Sequence, residues 1–255
     1  MTFETSAEIY DRHVGRYVAQ LSQELVAAAG IEPRLRVLDV GCGPGGLTAT
    51  LAELVGAVNV GAVDPSEPFV EQCRERVPSA DVRRGYAEKL PFADDEFDAA
   101  LSQLVVNFMT DPAVGVGEMS RVTRPGGVLA ACVWDYSGGM EMLRAFWDAA
   151  LELDPDAPDE GRTMRYCREG ELGRLWEGCG VGDVRAGALV VSAEYEDFDD
   201  YWSPFPSGLA PSGAYCASLD AERQAALREA CFRRLGSPTG PFSLSARAWY
   251  AAGRT

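Results

Sequence analysis

A carboxylate and a group of glycines lie close together near the start of the chain, in the segment VLDVGCGPGG from Val37 to Gly46. Glycine permits positive φ angles and lets a ligand approach the backbone without meeting a Cβ atom. We therefore expect this turn to bring backbone N–H groups close to a ligand. The carboxylate of Asp39, two residues before Gly41, suits a cationic group and is a poor neighbour for a phosphate.

The same glycines also fit the dinucleotide-binding pattern G-x-G-x-x-G, so two cofactors have to be weighed. Asp64 follows Gly41 by 23 positions (64 − 41), roughly where that pattern needs an acid for a ribose. However, Asp39 would place negative charge beside a pyrophosphate, and Pro44 removes one N–H group from the turn. Both residues are compatible with a ligand that carries an amino group and a sulfonium. The segment favours S-adenosylmethionine and leaves a nicotinamide cofactor open.

Alternating strands and helices are predicted to position these residues. The segment from Leu35 to Val40, apolar apart from Arg36 and Asp39, is typical of a parallel strand covered on both faces. Strands that alternate with helices indicate right-handed crossovers and a parallel sheet, in which ligands lie outside the carboxyl ends of the strands. Further strands are predicted at about 58–63, near 82, and at about 97–101, 128–134, 184–195 and 242–250. The strand ends carry Asp39 to Gly43, Asp64, Ala87, Glu88, Gln103 and Trp134, which predicts one crevice.

Local signals predict where two of the helices begin and end. Ser66 is expected to cap the helix that follows the second strand. Asp111 and Pro112 are expected to open a helix by the cap-plus-proline rule. Pro125-Gly126-Gly127 is expected to close that helix, so that the fifth strand begins at Val128.

Net charge, cysteine spacing and apolar runs argue against several classes of protein. The 255 residues include 39 acidic and 23 basic side chains, a formal net charge of −16, which argues against nucleic acid or an anionic membrane surface as the main partner. The seven cysteines have no C-x-x-C spacing, so neither a disulfide framework nor a metal site is indicated. The N-terminus does not read as a signal peptide, and no apolar run approaches the length of a membrane helix. These features predict a soluble, cytoplasmic protein.

Several segments, taken in order, resemble the class I S-adenosylmethionine-dependent methyltransferases, in particular the small-molecule group similar to the ubiquinone and menaquinone biosynthesis methyltransferases. The resemblance runs from about Arg34 to Tyr136 and is weaker through Val184 and at the last strand. It implies a Rossmann-like, seven-stranded, mostly parallel sheet with helices on both faces. The segments are VLDVGCGPGG, VDPSEPFV from Val63, YAEKLPFADDEFD from Tyr86 and EMSRVTRPGGVL from Glu118.

The second half of the chain suggests a cap on this α/β core. Two inserts interrupt the alternation of helices and strands, and with the N-terminal helix they would form a partly helical cap. We therefore expect a single methyltransferase domain over residues 1–255. Its core is predicted at about 31–136, 169–198 and 238–255, and its cap at about 1–30, 137–168 and 199–237.

The resemblance implies a role for each cofactor-binding position. Asp39 would lie near the methionyl amino group, and Asp64 would accept hydrogen bonds from both ribose hydroxyls. Ala87 and Glu88 would meet the adenine. The implied cofactor-binding residues are Tyr10, Asp39, Gly41, Cys42, Gly43, Asp64, Pro65, Ala87, Glu88, Gln103 and Leu104, of which Gln103 and Leu104 would flank the methionyl group and the methyl.

The acceptor side carries fewer signals. Asn107, Trp134 and Tyr136 follow strand ends and are candidate substrate residues, and His13, the single histidine, is a weak candidate for a general base. The predicted activity is methyl transfer from S-adenosylmethionine, with S-adenosylhomocysteine as product, to the O, N or C atom of a small hydrophobic or aromatic molecule. Two alternatives stay open: a methyltransferase-like module that binds the cofactor without turnover, and a nicotinamide-dependent oxidoreductase.

Overall fold

A seven-stranded sheet organises the chain, with the strand order β3-β2-β1-β4-β5-β7-β6. The computed structural model describes residues 14–208 and 210–255. The pairs β1–β2, β1–β4, β2–β3 and β4–β5 are parallel, as the alternation of helices and strands predicts. The strands are β1 Val37–Val40, β2 Val60–Asp64, β3 Asp81–Arg84, β4 Phe97–Gln103, β5 Thr123–Trp134, β6 Gly182–Tyr195 and β7 Phe242–Arg254.

Helices connect these strands, and short 3-10 turns occur at Gly15–Tyr17, Ala57–Asn59, Val106–Phe108 and Phe205–Ser207. No helix in the described ranges combines the length and apolar character that a membrane crossing requires. The α-helices are α1 Val18–Ala29, α2 Gly46–Val55, α3 Glu67–Arg76, α4 Pro112–Val122, α5 Glu141–Leu153, α6 Glu160–Thr163, α7 Glu171–Gly178, α8 Phe198–Trp202, α9 Ala210–Ser218 and α10 Ala221–Arg234.

The chain divides into two compact units. We call residues 18–133, 165–189 and 248–255 the sheet unit; β1 to β4 lie in it, and every residue of β1 is buried. We call residues 14–17, 134–164 and 190–247 the accessory unit. Its core is aromatic: Phe146 stacks on Phe205 with ring centroids 4.4 Å apart. The finer division into core and cap stays a prediction.

One helix boundary agrees with its sequence signal, and two features differ. Asp111 caps α4, because its carboxylate accepts hydrogen bonds from the amides of Ala113 and Val114. Ser66 occupies the N-cap position of α3, but its side chain makes no capping hydrogen bond, so that expectation was wrong. Asp64, two residues earlier, accepts the Ser66 amide at 2.9 Å and so fixes the backbone at this position.

The start of the fifth strand also differs from the prediction. The helix α4 ends at Val122, and β5 begins at Thr123 rather than Val128. Phe97 of β4 pairs with Thr123, whereas Ala99 pairs with Val128, so the register shifts between these two pairs. The Pro-Gly-Gly segment therefore lies in an irregularity inside the strand rather than in a turn before it.

Candidate functional site

The turn after β1 is shaped by glycines at positive φ. Gly41 and Gly43 have φ angles of 80° and 51°, which residues with a Cβ atom rarely adopt. A Cβ atom on Gly41 would lie 2.4 Å from the side chain of Val105, so packing requires glycine there. A Cβ atom on Gly43 would meet no atom within 4 Å. Gly43 therefore borders open space at the carboxyl end of β1, where a ligand has room.

The backbone N–H groups of this turn are used within the protein, which corrects the expectation that they face a ligand. The amides of Gly41 and Cys42 both donate to the Val63 carbonyl, at 2.8 and 3.0 Å. The amide of Gly43 donates to Asp64 Oδ2 at 3.0 Å, and that of Gly45 donates to the Cys42 carbonyl at 2.9 Å. A phosphate cradle needs such donors to point at the ligand. The turn is therefore poorly suited to a dinucleotide pyrophosphate.

Asp39 is a buried carboxylate with unused hydrogen-bonding capacity. Asp39 is only 1% exposed, and its Oδ2 accepts a hydrogen bond from Thr48 Oγ1 at 2.7 Å. The other oxygen, Oδ1, has no hydrogen-bond partner among the residues that the structure describes. Burial raises the pKa of Asp39 to about 7; the Thr48 hydroxyl opposes this rise, and the nearby Asp64 adds to it. A cationic donor at Oδ1 would satisfy this oxygen and favour the ionised form.

Asp64 lies at the carboxyl end of β2 and holds two segments of backbone. Oδ2 accepts the amide of Gly43, and Oδ1 accepts the amide of Ser66. Burial raises the pKa of Asp64, and these two amide hydrogen bonds oppose the rise. A carboxylate offers about four acceptor positions, so two backbone bonds leave capacity for ligand hydroxyls. The next residue, Pro65, is fixed through its carbonyl, which accepts from Arg84 Nε at 3.1 Å.

The loop after β3 carries Ala87 and Glu88 and is tied to the start of α4. Glu88 Oε1 accepts the amides of Thr110 at 2.7 Å and Asp111 at 3.3 Å. Ala87 lies beside the same helix, because a Cβ atom on Gly115 would be 3.7 Å from the Ala87 Cβ. The predicted contact of Ala87 and Glu88 with an adenine stays a prediction.

Sequence reasoning did not find the side chains that anchor this loop. Glu118 and Arg121, both on α4, form an ion pair, with Arg121 Nε 2.7 Å from Glu118 Oε1. The amide of Leu90 donates to Glu118 at 2.9 Å, and Arg121 donates to the carbonyls of Leu90 and Phe92 at 3.1 and 3.0 Å. The i,i+3 spacing of opposite charges on a helix was the available signal. This spacing predicts the ion pair between Glu118 and Arg121, but not the hydrogen bonds of these two residues to the loop after β3.

Two predicted cofactor residues follow at the end of β4. Gln103 is 8% exposed; its Nε2 donates to the Val18 carbonyl at 3.4 Å, and its Oε1 has no partner in the described part of the chain. Leu104 has a φ angle of 64°, and its amide donates to the Cys132 carbonyl at 2.8 Å. A left-handed conformation costs a leucine free energy and persists only where the surroundings impose it. Such strain occurs often at functional sites.

The candidate acceptor residues are distributed over both units. Asn107 lies in the sheet unit, in the 3-10 turn after β4, and is 5% exposed. Trp134 and Tyr136 lie in the accessory unit. Trp134 is 1% exposed, and its Nε1–H has no acceptor among the described residues. The carbonyl of Tyr136 accepts a hydrogen bond from Arg144 at 3.2 Å.

Two predicted residues, Tyr10 and His13, lie outside the described residues. Tyr17, which shares the N-terminal segment with Tyr10, is fully buried in the accessory unit. Its hydroxyl is 3.0 Å from the hydroxyl of Tyr195. This contact is typical of a core position.

The part of the chain that carries the glycine turn and both aspartates matches a known family. Residues 38–131 match the model of the methyltransferase domain. These residues form a methyltransferase domain. Together with the seven-stranded sheet, this match confirms the assignment to the class I fold that the sequence motifs indicated.

Relatives of this methyltransferase domain carry names with different acceptors. The chain is 31% identical over 149 residues to an uncharacterized methyltransferase of Schizosaccharomyces pombe, covering 51% of this chain and 53% of that protein. It is 32% identical over 147 residues to a malonyl-acyl-carrier-protein O-methyltransferase of Pseudescherichia vulneris, covering 58% and 57%. It is 37% identical over 92 residues to a demethylmenaquinone methyltransferase of Chlorobaculum parvum, covering 36% and 38%. The chain thus spans about half the length of the first of these relatives.

Solved structures share the fold of the methyltransferase domain. A phosphoethanolamine N-methyltransferase of Haemonchus contortus, solved with phosphomonomethylethanolamine and S-adenosylhomocysteine, has a TM-score of 0.54 at 16% identity, covering 92% of this chain and 52% of that one. The cyclase SpnF has a TM-score of 0.54 at 18% identity, covering 92% and 81%. Because a protein named for cyclisation shares the fold, the fold by itself does not fix the reaction.

Proposed function

We propose that this chain is an S-adenosylmethionine-dependent methyltransferase that acts on a small, hydrophobic or aromatic molecule. The observation that carries the cofactor assignment is the unpartnered Oδ1 of the buried Asp39, beside a turn whose own amides are already bonded. This arrangement fits a ligand that brings a cationic donor and no phosphate. The names of the relatives support the reaction class.

The residues present fit the parts of this cofactor. Asp39 Oδ1 would accept from the methionyl ammonium, and the open space beside Gly43 gives room for the methionyl and ribose portions. Asp64 retains acceptor capacity for the two ribose hydroxyls, because its backbone bonds use only part of the carboxylate. Gln103 Oε1, a second buried acceptor without a partner among the described residues, lies on the predicted methionyl side.

Methyl transfer requires the protein mainly to position the acceptor and the cofactor relative to each other. When bound, S-adenosylmethionine supplies a methyl group on a sulfonium, which is already a good leaving group. The protein then has to hold the acceptor atom in line with that methyl and exclude water. The strained backbone at Leu104 is compatible with this requirement, since a fixed conformation next to the predicted methyl position preserves alignment.

An apolar acceptor is supported by side chains next to the predicted site. Tyr86 is 61% exposed and adjoins Ala87, and Phe108 is 65% exposed and adjoins Asn107. Two exposed aromatic side chains beside the predicted site would give an apolar acceptor a surface to contact.

The cofactor assignment is tested by calorimetry with S-adenosylhomocysteine. We expect Asp64→Ala to weaken binding by roughly 1–3 kcal/mol, because a charged hydrogen-bond acceptor for the ligand is lost. Asp64→Asn keeps the side-chain shape and separates this loss from a rearranged turn. Asp156→Ala, at an exposed position in the accessory unit, is the control and should leave the affinity unchanged. Equal affinity in wild type and both Asp64 variants would contradict the ribose assignment.

Turnover is tested separately from binding. A methyl-transfer screen against small hydroxylated, amino and carbon-acid acceptors, read by mass, should find at least one methylated product. Tight binding of the cofactor with no product across the screen would favour the module without turnover.

A further inference from the structure

Two cysteines that the proposed reaction does not use lie together beside the glycine turn. Cys42 follows Gly41 in the turn, and Cys73 lies on α3. Both are buried, at 6% and 0% exposure. They belong to one cluster of packed side chains, whose other members are Ala62, Val70 and Val82.

The helix α3 approaches the turn closely at Cys73. A Cβ atom on Gly45 would lie 3.0 Å from Cys73 Sγ and 3.4 Å from Cys73 Cβ. The amide of Gly45 in turn donates to the Cys42 carbonyl at 2.9 Å. Cys73 therefore packs against the residue whose amide bonds to the Cys42 carbonyl, although the two cysteines are 31 positions apart in the sequence (73 − 42).

A polar connection reaches from these thiols to Asp39. Cys73 Sγ donates to Thr48 Oγ1 at 3.5 Å, and the Thr48 hydroxyl donates to Asp39 at 2.7 Å. The thiol of Cys42 lowers the pKa of Cys73 by hydrogen bonding, against the opposing effect of burial. The thiolate is the reactive form of a cysteine.

We propose that Cys42 and Cys73 form a reversible disulfide that lowers the affinity of the turn for its cofactor. The geometry that supports this is the shared cluster and the close approach of α3 to the turn. The second part rests on the proposed function, since it assumes that the turn binds S-adenosylmethionine.

The oxidant is a peroxide, for which the chemistry balances. The thiolate of one cysteine attacks a peroxide oxygen, the O–O bond breaks, and the departing hydroxide takes up the released proton as water. The thiol of the other cysteine then attacks this sulfenic acid. The S–S bond forms, the S–O bond breaks, and a second water leaves with the remaining proton. Two thiols are oxidised and one peroxide is reduced to two waters. A dithiol then reduces the disulfide to two thiols and is itself oxidised to a disulfide.

Closing the bond would disturb the cofactor turn. An S–S bond holds the two sulfur atoms about 2.05 Å apart, so the turn and α3 have to draw together at Cys42 and Cys73. The amide of the next residue, Gly43, donates to Asp64, the predicted ribose ligand. A shift of Cys42, the residue before Gly43, would strain this hydrogen bond. Where such a shift costs Asp64 one charged hydrogen bond to the ligand, affinity should fall roughly tenfold or more.

The experiment treats the full-length reduced protein with hydrogen peroxide and maps disulfides by peptide mass. We expect a linked pair of peptides containing Cys42 and Cys73, absent in Cys73→Ser and retained in the control Cys179→Ser. Cys179 is a half-buried cysteine outside this cluster. Bound S-adenosylhomocysteine should slow the linkage in wild type. Absence of the linked peptides in folded wild type, or linkage of Cys42 mainly to a cysteine other than Cys73, would overturn the proposal.

Calorimetry then compares S-adenosylhomocysteine binding before and after oxidation. We expect the oxidised wild type to bind at least roughly tenfold more weakly, a change that dithiothreitol reverses and that Cys73→Ser does not undergo. A disulfide with unchanged affinity would overturn the switching part. If the reduced protein binds no S-adenosylhomocysteine, the proposed function fails instead, and the peptide map still decides whether the disulfide forms.

Discussion

Asp39 combines two properties that are rarely found together in one side chain. It is fully buried, yet one of its oxygens has no partner within the described residues. An isolated buried carboxylate is costly, and the protein reduces that cost by raising the pKa to about 7 rather than by supplying a cation. A residue in this state gains a partner when a cationic ligand binds, so binding is coupled to its ionisation.

The affinity for S-adenosylhomocysteine should therefore depend on pH. Below about pH 7 the Asp39 carboxyl is protonated in the free protein and cannot attract an ammonium group, so affinity should fall as pH decreases, by at most roughly tenfold per pH unit. Asp39→Asn should bind more weakly at pH 8 and lose this dependence. Calorimetry at several pH values measures it, with the exposed Glu71→Gln as control. A flat profile in wild type would contradict the coupling.

At the scale of the elements, α4 connects two parts of the predicted site. Its N-terminal end holds Glu88 through the amides of Thr110 and Asp111, and Arg121 near its other end holds the carbonyls of Leu90 and Phe92. The loop between β3 and β4 has little regular structure of its own. Its shape thus depends on hydrogen bonds from one helix face.

Removing the arginine should loosen this loop. We expect Arg121→Ala to destabilise the fold by about 1–3 kcal/mol, because the loop carbonyls and Glu118 lose their donor. The control is Arg223→Ala, whose exposed ion pair with Asp220 spans 3.9 Å and should contribute less than about 1 kcal/mol. Urea unfolding measures both. Similar losses in the two variants would contradict an anchoring role for Arg121.

The whole molecule is strongly acidic. Each unit also contains a buried carboxyl group whose pKa is raised to about 7, Asp39 in the sheet unit and Glu160 in the accessory unit. In the accessory unit, burial raises the pKa of Glu160 to about 7; Trp147 opposes this rise and the neighbouring Asp159 adds to it. Glu160 is 6% exposed. With a formal net charge of −16, raising the pH adds charge to a molecule that already repels itself.

Stability should therefore decrease with pH in the range set by Glu160. Its pKa is higher in the folded protein than the ordinary 4.5, so its contribution is fully present below about pH 4.5 and is lost as pH rises through about 7. Glu160→Gln, which cannot ionise, should exceed wild type in stability at pH 8 and match it near pH 5. Urea unfolding at both pH values measures this, with the exposed Glu169→Gln as control. A wild type more stable than Glu160→Gln at pH 8 would reverse the assigned sign.

Local patterns were sufficient for much of the fold, whereas the roles of the candidate cofactor residues stay predictions. The apolar run before Asp39, the glycines after it and the cap-plus-proline start at Asp111 depend on backbone preferences of neighbouring residues. Strand–helix alternation then places the strand ends at one edge of the sheet. The predictions for Ser66 and for the Pro-Gly-Gly segment were wrong. The carboxylate of Asp64 fixes the backbone at Ser66, and the pairing of β5 with β4 sets the structure of the Pro-Gly-Gly segment.

The sequence by itself determined the α/β order, the glycine turn and the carboxylates at the strand ends, since each follows from residues close together in the chain. Only the tertiary structure decided the burial of Asp39, the internal use of the turn amides, the anchoring by Arg121 and the meeting of Cys42 with Cys73. Each of these depends on contacts between residues far apart in sequence. Burial, pKa and thiol proximity are properties of such packing, so no local pattern encodes them.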